Sequence, residues 1–120
     1  TAMMRPPDSW IEVFVCVEPV DFRKQIDGLA AIVQEELALN AFGGQLFVFT
    51  NRRRDRVKCL YWERCGFVLW MKRLERQRFA WPRSEDALVS LSGEQLNYLL
   101  DGYNLWAWQP HQPLHFGAVA

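Results

Sequence analysis

The amino-acid sequence predicts a single α+β domain, built from an antiparallel sheet of hairpins with two helices. Short runs of β-branched and aromatic residues predict strands, and the turns between the central runs are too short for crossover connections. Two other segments carry the apolar spacing or the capping residues of a helix. A length of 120 residues suits one domain, and a hydrophobic content of 50% is enough to form its core.

The first strand and the first helix are predicted within residues 10–37. Residues 10–18 are rich in β-branched and aromatic side chains, and Pro19 ends this strand. Asp21 is the predicted N-cap of the helix, because apolar residues recur at spacings of three and four directly after it. This apolar face consists of Phe22, Ile26, Leu29, Val33 and Leu37.

Three further strands are predicted in the middle of the chain, joined by one polar loop and one tight turn. Both connections are short, so neighbouring strands should pair antiparallel, with Gly66 in the left-handed conformation of the second turn. If that turn has three residues, Lys58 lies opposite Lys72 and Leu60 lies opposite Trp70. The strands are residues 45–50, 56–63 and 67–74, and the connections are residues 51–55 and 64–66.

The C-terminal part of the sequence predicts one short strand and the second helix. Residues 87–91 have the composition of a strand, and Ser92 followed by Gln95 is the capping-box pattern that begins a helix. Gly102 is placed to end this helix. The predicted organisation is an N-terminal extension, one domain and an irregular tail, at residues 1–10, 11–105 and 106–120.

The net charge is zero, but the charged residues are segregated along the chain. Residues 1–51 contain 3 basic and 7 acidic residues, and residues 52–83 contain 11 basic and 3 acidic residues. Residues 84–120 contain 4 acidic residues and no Lys or Arg. The central basic block creates a local positive field that favours polyanions, so we predict contact with nucleic acid. The alternative is a solvated charged face.

The candidate nucleic-acid-binding residues come from this block and from the first helix. Three consecutive arginines, residues 52–54, are predicted at a hairpin tip, where guanidinium groups can reach phosphates. Strand alternation should place Arg54, Arg56 and Lys58 on one face, to which the expected register adds Lys72. The candidates are Arg23, Lys24, Arg52, Arg53, Arg54, Arg56, Lys58, Lys72, Arg73, Arg76 and Arg78, and Arg83 continues the block.

Tryptophans are interleaved with the basic block, and Trp62 and Trp70 are candidates for stacking on unpaired bases. The alternative for both indoles is burial in the core. Arg23 and Lys24 begin the predicted helix, where a bound phosphate would offset the unfavourable interaction of two cations with the helix dipole. The alternative is that both pair with nearby acids such as Asp21.

No catalytic site, metal site or cofactor site is predicted. The acidic residues lack the placement that a pair of metal ions needs, and His111 and His115 do not complete a zinc site. The three cysteines are an odd number without regular spacing, so they should be buried thiols rather than a disulfide framework. No apolar stretch is long enough to cross a membrane, and we expect a cytoplasmic protein. The cysteines are Cys16, Cys59 and Cys65.

Three stretches of the sequence resemble one family of proteins. They are VEPVDFRKQIDGLAAIV at 17–33, FVFTNRRRDRVKCLYWERCGFVLWMKRLERQRFAWP at 47–82, and VSLSGEQLNYLLDG at 89–102. The chain resembles the TnpB-type accessory proteins of the insertion sequence 66 group of bacterial mobile elements, which the second open reading frame of the element usually encodes. Two features depart from the family: Gln25 stands where glycine is common, and the C-terminal tail lacks basic residues.

The resemblance implies a non-enzymatic accessory role in transposition, while strand cutting is assigned to a separate, larger transposase. The expected partners are element DNA and the separately encoded transposase, with no membrane partner, and the expected location is the nucleoid in the cytoplasm. A homo-oligomer is compatible with the sequence. The second hypothesis is an adaptor that docks on the transposase without touching nucleic acid.

Overall fold

The computed structural model describes residues 5–10 and 12–107. Within this part, a five-stranded sheet carries helices on both faces, which confirms the predicted α+β fold, and neither helix is long and apolar enough to cross a membrane. The elements are β1 (Val13–Cys16), α1 (Ile26–Ala31) with a π-helical turn (Ile32–Glu36), β2 (Leu46–Thr50), β3 (Arg56–Glu63), β4 (Gly66–Arg73), β5 (Leu88–Leu91) and α2 (Gly93–Leu100). The strand order in the sheet is β4-β3-β2-β1-β5.

Strands β1 and β2 are parallel, with Val13 opposite Leu46, whereas the sequence predicted antiparallel pairs throughout. α1 and the π-helical turn carry the chain back to the end of the sheet where β1 begins, so β2 runs in the same direction as β1. The other three pairings, β1 with β5, β2 with β3 and β3 with β4, are antiparallel. The sheet is therefore mixed, with one parallel pair.

α1 begins later than the sequence predicts. Asp21 does not cap it, because its Oδ1 accepts a hydrogen bond from the backbone N–H of Arg23, at 2.9 Å, in a turn before the helix. Gln25 is the N-cap residue, and its side chain makes no capping hydrogen bond. The predicted apolar face is confirmed, since Leu29 and Val33 are completely buried in the cluster between α1 and the sheet.

The turn between β3 and β4 has two residues, so the predicted three-residue turn is wrong. Arg64 and Cys65 form this turn, and Glu63 pairs with Gly66 as the last pair of the hairpin. Arg64, not Gly66, takes the left-handed conformation, with φ 57°.

The shorter turn shifts the register of β4 by one residue. Met71 lies opposite Lys58, and Lys72 lies opposite Val57. Leu60 faces Leu69 rather than Trp70. Because successive side chains of a strand point to opposite faces of a sheet, Lys58 and Lys72 lie on opposite sides of the molecule.

A hydrophobic cluster on each face of the sheet stabilises the fold, with α1 in one cluster and α2 in the other. The predicted capping box of α2 is confirmed. The hydroxyl of Ser92 accepts a hydrogen bond from the N–H of Gln95 at 3.1 Å, and Oε1 of Gln95 accepts one from the N–H of Ser92 at 2.9 Å. Gly102 follows the helix with φ 96°, as its predicted role as a terminator requires.

Candidate nucleic-acid interface

Five arginine side chains from two separate segments line one cleft of about 560 Å³. Residues 52–54 belong to the loop between β2 and β3, whereas Arg78 and Arg83 belong to the segment between β4 and β5. We call this cleft the arginine cleft, and no acidic side chain of the described residues lines it. Its other lining residues are Phe79, Ala80, Trp81, Asn104 and Trp106.

Hydrogen bonds join the two segments to each other and to the sheet. The N–H of Phe79 donates to the carbonyl of Arg54 at 2.7 Å, so the second segment lies directly against the hairpin loop. Trp81 is buried, and its Nε1 donates to the carbonyl of Cys16 at 2.9 Å, which attaches this segment to β1. These hydrogen bonds therefore hold both walls of the cleft in place in the folded protein.

The loop between β2 and β3 is folded around Asn51. Oδ1 of Asn51 accepts hydrogen bonds from the N–H groups of Asp55 and Arg56, at 3.2 and 3.1 Å, and its Nδ2 donates to Oδ1 of Asp55 at 2.7 Å. Arg54 has φ 61°, a left-handed conformation that is uncommon for a residue other than glycine. The two arginines before it are exposed at the hairpin tip, as the sequence predicted.

Most of the positive charge in the arginine cleft is unpaired. The carboxylate of Asp55 lies 3.9 Å from Nε of Arg53 and 3.6 Å from Nη1 of Arg56. The hydrogen bond from Asn51, together with these two cations, lowers the pKa of Asp55 below its usual range. Within the described part, which contains every Asp and Glu of the chain, no ion pair involves the other four arginines of the cleft. We expect a positive potential there.

One polar atom of the arginine cleft is buried without a partner. Nε of Arg54 is shielded from solvent, and no hydrogen-bond acceptor of the described residues reaches it. Such donors are rare in folded proteins, because the atom gives up its hydrogen bonds to water without replacing them. The unpaired Nε therefore destabilises this conformation of Arg54, and a ligand in the cleft could contact this atom only if the side chain moved.

Lys58 does not contribute to this surface, because it is only 3% exposed. Its Nζ donates to the carbonyls of Phe22 and Lys24, at 3.0 and 2.9 Å, and lies 4.7 Å from the centre of the Phe22 ring. Burial lowers the pKa of Lys58 below its usual value of 10.5. Its ammonium group therefore holds the turn that precedes α1, and the expectation of an exposed Lys58 is wrong.

Lys72 has a similar internal role on the opposite face of the sheet. Its Nζ donates to the carbonyl of Leu100 at 2.8 Å, where the last turn of α2 leaves carbonyl groups without a helical partner. The expected exposed face shared by Arg54, Arg56, Lys58 and Lys72 does not exist, because the register of β4 separates the two lysines.

The remaining predicted cations lie outside the arginine cleft. Arg23 pairs with Asp21 at 2.6 Å, which was the alternative that the sequence left open. Hydrogen bonds from Arg23 lower the pKa of Asp21 to about 2. Arg73 pairs with Glu75 at 2.9 Å. Lys24 and Arg76 are exposed, and Arg56 is half-buried.

The predicted stacking residues are not the tryptophans that line the cleft. Trp62 is half-buried in an aromatic cluster with Phe42 and Phe67, at centroid distances of 4.9 and 5.0 Å. Trp70 packs against the hydrophobic cluster that contains α2. Trp106 packs against the same cluster but also lines the cleft, and its Nε1 donates to the carbonyl of Ala80 at 3.0 Å. The sequence offered no periodicity or motif that links Trp106 to the hairpin loop.

The cysteines differ in their surroundings. Cys16 and Cys59 are buried, as expected, and desolvation raises the pKa of Cys16 to about 12 and that of Cys59 further still. Cys65 is exposed in the hairpin turn, so the expectation of burial is wrong for this residue. No group of three potential metal ligands occurs among the described residues, and His111 and His115 lie outside them.

Cys65 is therefore expected to be the fast-reacting thiol of the folded protein. Reaction with a thiol reagent requires the thiolate, which burial suppresses at Cys16 and Cys59. A time course with Ellman's reagent should show rapid modification of one thiol, and unfolding in denaturant should release the others. The Cys65→Ser variant should lose the rapid phase, and a rapid phase that persists in this variant would contradict the assignment.

The fold and the site together define a small α+β protein with a preformed cationic cleft. The chain belongs to the family described as "IS66 Orf2 like protein", whose model matches residues 11–110. This membership connects the chain with insertion sequence 66 elements and with an accessory role in transposition.

Two relatives from Sinorhizobium fredii are similar along nearly their whole length. The uncharacterized protein y4jC is 33% identical over 108 residues, which cover 90% of this chain and 92% of the relative. The uncharacterized protein y4hO is 37% identical over 112 residues, which cover 89% of this chain and 96% of the relative. No solved structure matches the chain significantly.

Proposed function

We propose that this protein is a non-enzymatic accessory factor for transposition that binds the DNA of its element, alone or in complex with the transposase, through the arginine cleft. The supporting observation is that five arginines from two segments line one cleft that contains no acidic side chain of the described residues. Guanidinium groups bind phosphate oxygens through two parallel hydrogen bonds, so such a cluster suits a phosphodiester backbone. In this role the protein acts at the nucleoid.

A salt titration of binding tests this proposal. Fluorescence anisotropy with labelled DNA from the element ends should show affinity that falls steeply as salt increases, because each phosphate contact releases counterions. If at least three arginines contact phosphates, the log–log slope should be about −2 or steeper. Parallel incubations with Mg²⁺ and Mn²⁺ should leave the DNA uncut. Absence of binding with and without transposase would contradict the proposal.

The adaptor hypothesis has its own structural support. β4 is an edge strand, and an unpaired strand edge can accept a strand from a partner protein. Met71 on this strand is 52% exposed, and Phe42 is 50% exposed next to Trp62. A complex with the transposase that is insensitive to salt, combined with no binding to any DNA, would favour this second function.

A further inference from the structure

We propose that the arginine cleft accepts an unpaired nucleotide, with its phosphate on the arginines and its base against the Trp106 indole, so that the protein prefers single-stranded or frayed DNA to duplex. This inference rests on the proposed function and specifies which form of DNA the cleft recognises. It also assigns a role to Trp106, which lies outside the central basic block.

The size of the cleft supports a single nucleotide. The cleft is open to solvent, and its volume of about 560 Å³ lies within the roughly 300–1,000 Å³ of small-ligand sites, which leaves room for one nucleotide. A B-form duplex presents its phosphates on the outside and keeps its bases stacked inside, so it could offer its phosphates to the arginines but no base face to the indole. An unpaired nucleotide can place both its phosphate and its base in the same recess.

The chemistry of the lining divides into a charged part and an aromatic part. Arg52 and Arg53 are exposed on the hairpin loop, Arg54 lies half-buried beside them, and Arg78 and Arg83 belong to the opposing segment. The charged part therefore offers five guanidinium groups to a phosphate, and no carboxylate of the described residues lines the cleft.

The aromatic part of the lining is what distinguishes unpaired from paired DNA. Phe79 is 2% exposed and Trp81 is 7% exposed, so both form the floor of the cleft rather than a projecting surface. Trp106 is half-buried, packs against the hydrophobic cluster that contains α2, and donates a hydrogen bond to the carbonyl of Ala80, so its ring is held at the wall of the cleft. An indole in this position can stack on a base only if that base has left the duplex.

Three probes of the same element-end sequence test the inference by fluorescence anisotropy. They are a single strand, a blunt duplex, and a duplex with a short unpaired 3′ tail. We expect the single strand and the tailed duplex to bind about tenfold more tightly than the blunt duplex at one salt concentration, because only they offer an unpaired base for stacking. Equal affinity for all three would overturn the inference and leave the proposed function standing, whereas no binding to any probe contradicts both.

Two matched pairs of variants assign the effect to the cleft. Arg54→Gln should weaken binding of the single strand about tenfold. Arg64→Gln removes the same charge from a residue with a similar left-handed backbone at the far end of β3, and should leave binding unchanged. Equal losses in the two variants would overturn the role of Arg54.

The second pair tests the indole. Trp106→Leu should abolish the preference for unpaired DNA, and Trp106→Phe, which retains an aromatic ring but not the hydrogen bond to the carbonyl of Ala80, should keep part of it. Thermal melting shows whether each Trp106 variant is folded. The comparison of Arg54→Gln with Arg64→Gln tests the cleft separately, so it remains valid if a Trp106 variant unfolds. A folded Trp106→Leu protein with the full preference would overturn the assignment of Trp106.

Discussion

Replacing Arg52, Arg53 and Arg54 together with alanine is expected to lower the affinity for element-end DNA about hundredfold at moderate salt. Each lost arginine–phosphate contact removes about 1 kcal/mol of binding free energy, and about 1.4 kcal/mol corresponds to a tenfold change in affinity. The log–log slope of affinity against salt should also become shallower by about 2 to 3, because fewer counterions are released. The measurement is the same salt titration with the wild-type and variant proteins.

The structure offers a control for this triple variant. Arg64 is exposed in the turn at the opposite end of β3, and its replacement removes a charge without altering the cleft. The Arg64→Ala variant should therefore bind DNA with the wild-type affinity and salt slope. If the triple variant is folded and still binds like the wild type, the arginine cleft is not the DNA-binding surface.

Replacing Lys58 with methionine is expected to lower the free energy of unfolding by about 2 kcal/mol. Methionine fills a similar volume, but it leaves the carbonyls of Phe22 and Lys24 without the donor that they share in the native protein. Relief of the desolvation of the ammonium group offsets part of this loss, since burial alone disfavours the charge. Urea denaturation followed by circular dichroism measures the difference.

Lys24 provides the comparison for Lys58, because it carries the same charge on an exposed side chain of the same turn. The Lys24→Met variant should change the free energy of unfolding by less than about 0.5 kcal/mol, as is usual for exposed positions. Equal stability of the Lys58→Met and wild-type proteins would show that the buried ammonium group does not hold this turn.

Local chemistry in the sequence predicted several parts of the fold correctly. The capping box of Ser92 and Gln95, the termination at Gly102 and the apolar face with Leu29 and Val33 depend on residues within a few positions of one another. Their hydrogen bonds and periodicity are encoded locally. The hairpin tip at residues 52–54 was predicted for the same reason, since polar residues separate two apolar runs.

The register of the β3–β4 hairpin could not be predicted from the local sequence. A turn of two or three residues is compatible with the same sequence, yet one residue of difference moves every side chain of β4 to the other face. The packing of Leu60 and Leu69 in the cluster that contains α1, and of Cys59 and Trp70 in the cluster that contains α2, selects the shorter turn. In this register Lys58 and Lys72 lie on opposite faces of the sheet, and each donates hydrogen bonds to main-chain carbonyls.

The sequence by itself determined the α+β class and the concentration of positive charge in the middle of the chain, because composition and local pattern carry this information. The resemblance to the family came from three long stretches of the sequence. Only the tertiary structure decided which cations share a surface. Arg78, Arg83 and Trp106 meet the hairpin loop because main-chain and indole hydrogen bonds fold distant segments against it. Contacts between residues far apart in the chain depend on the packing of the whole sheet, which no local pattern specifies.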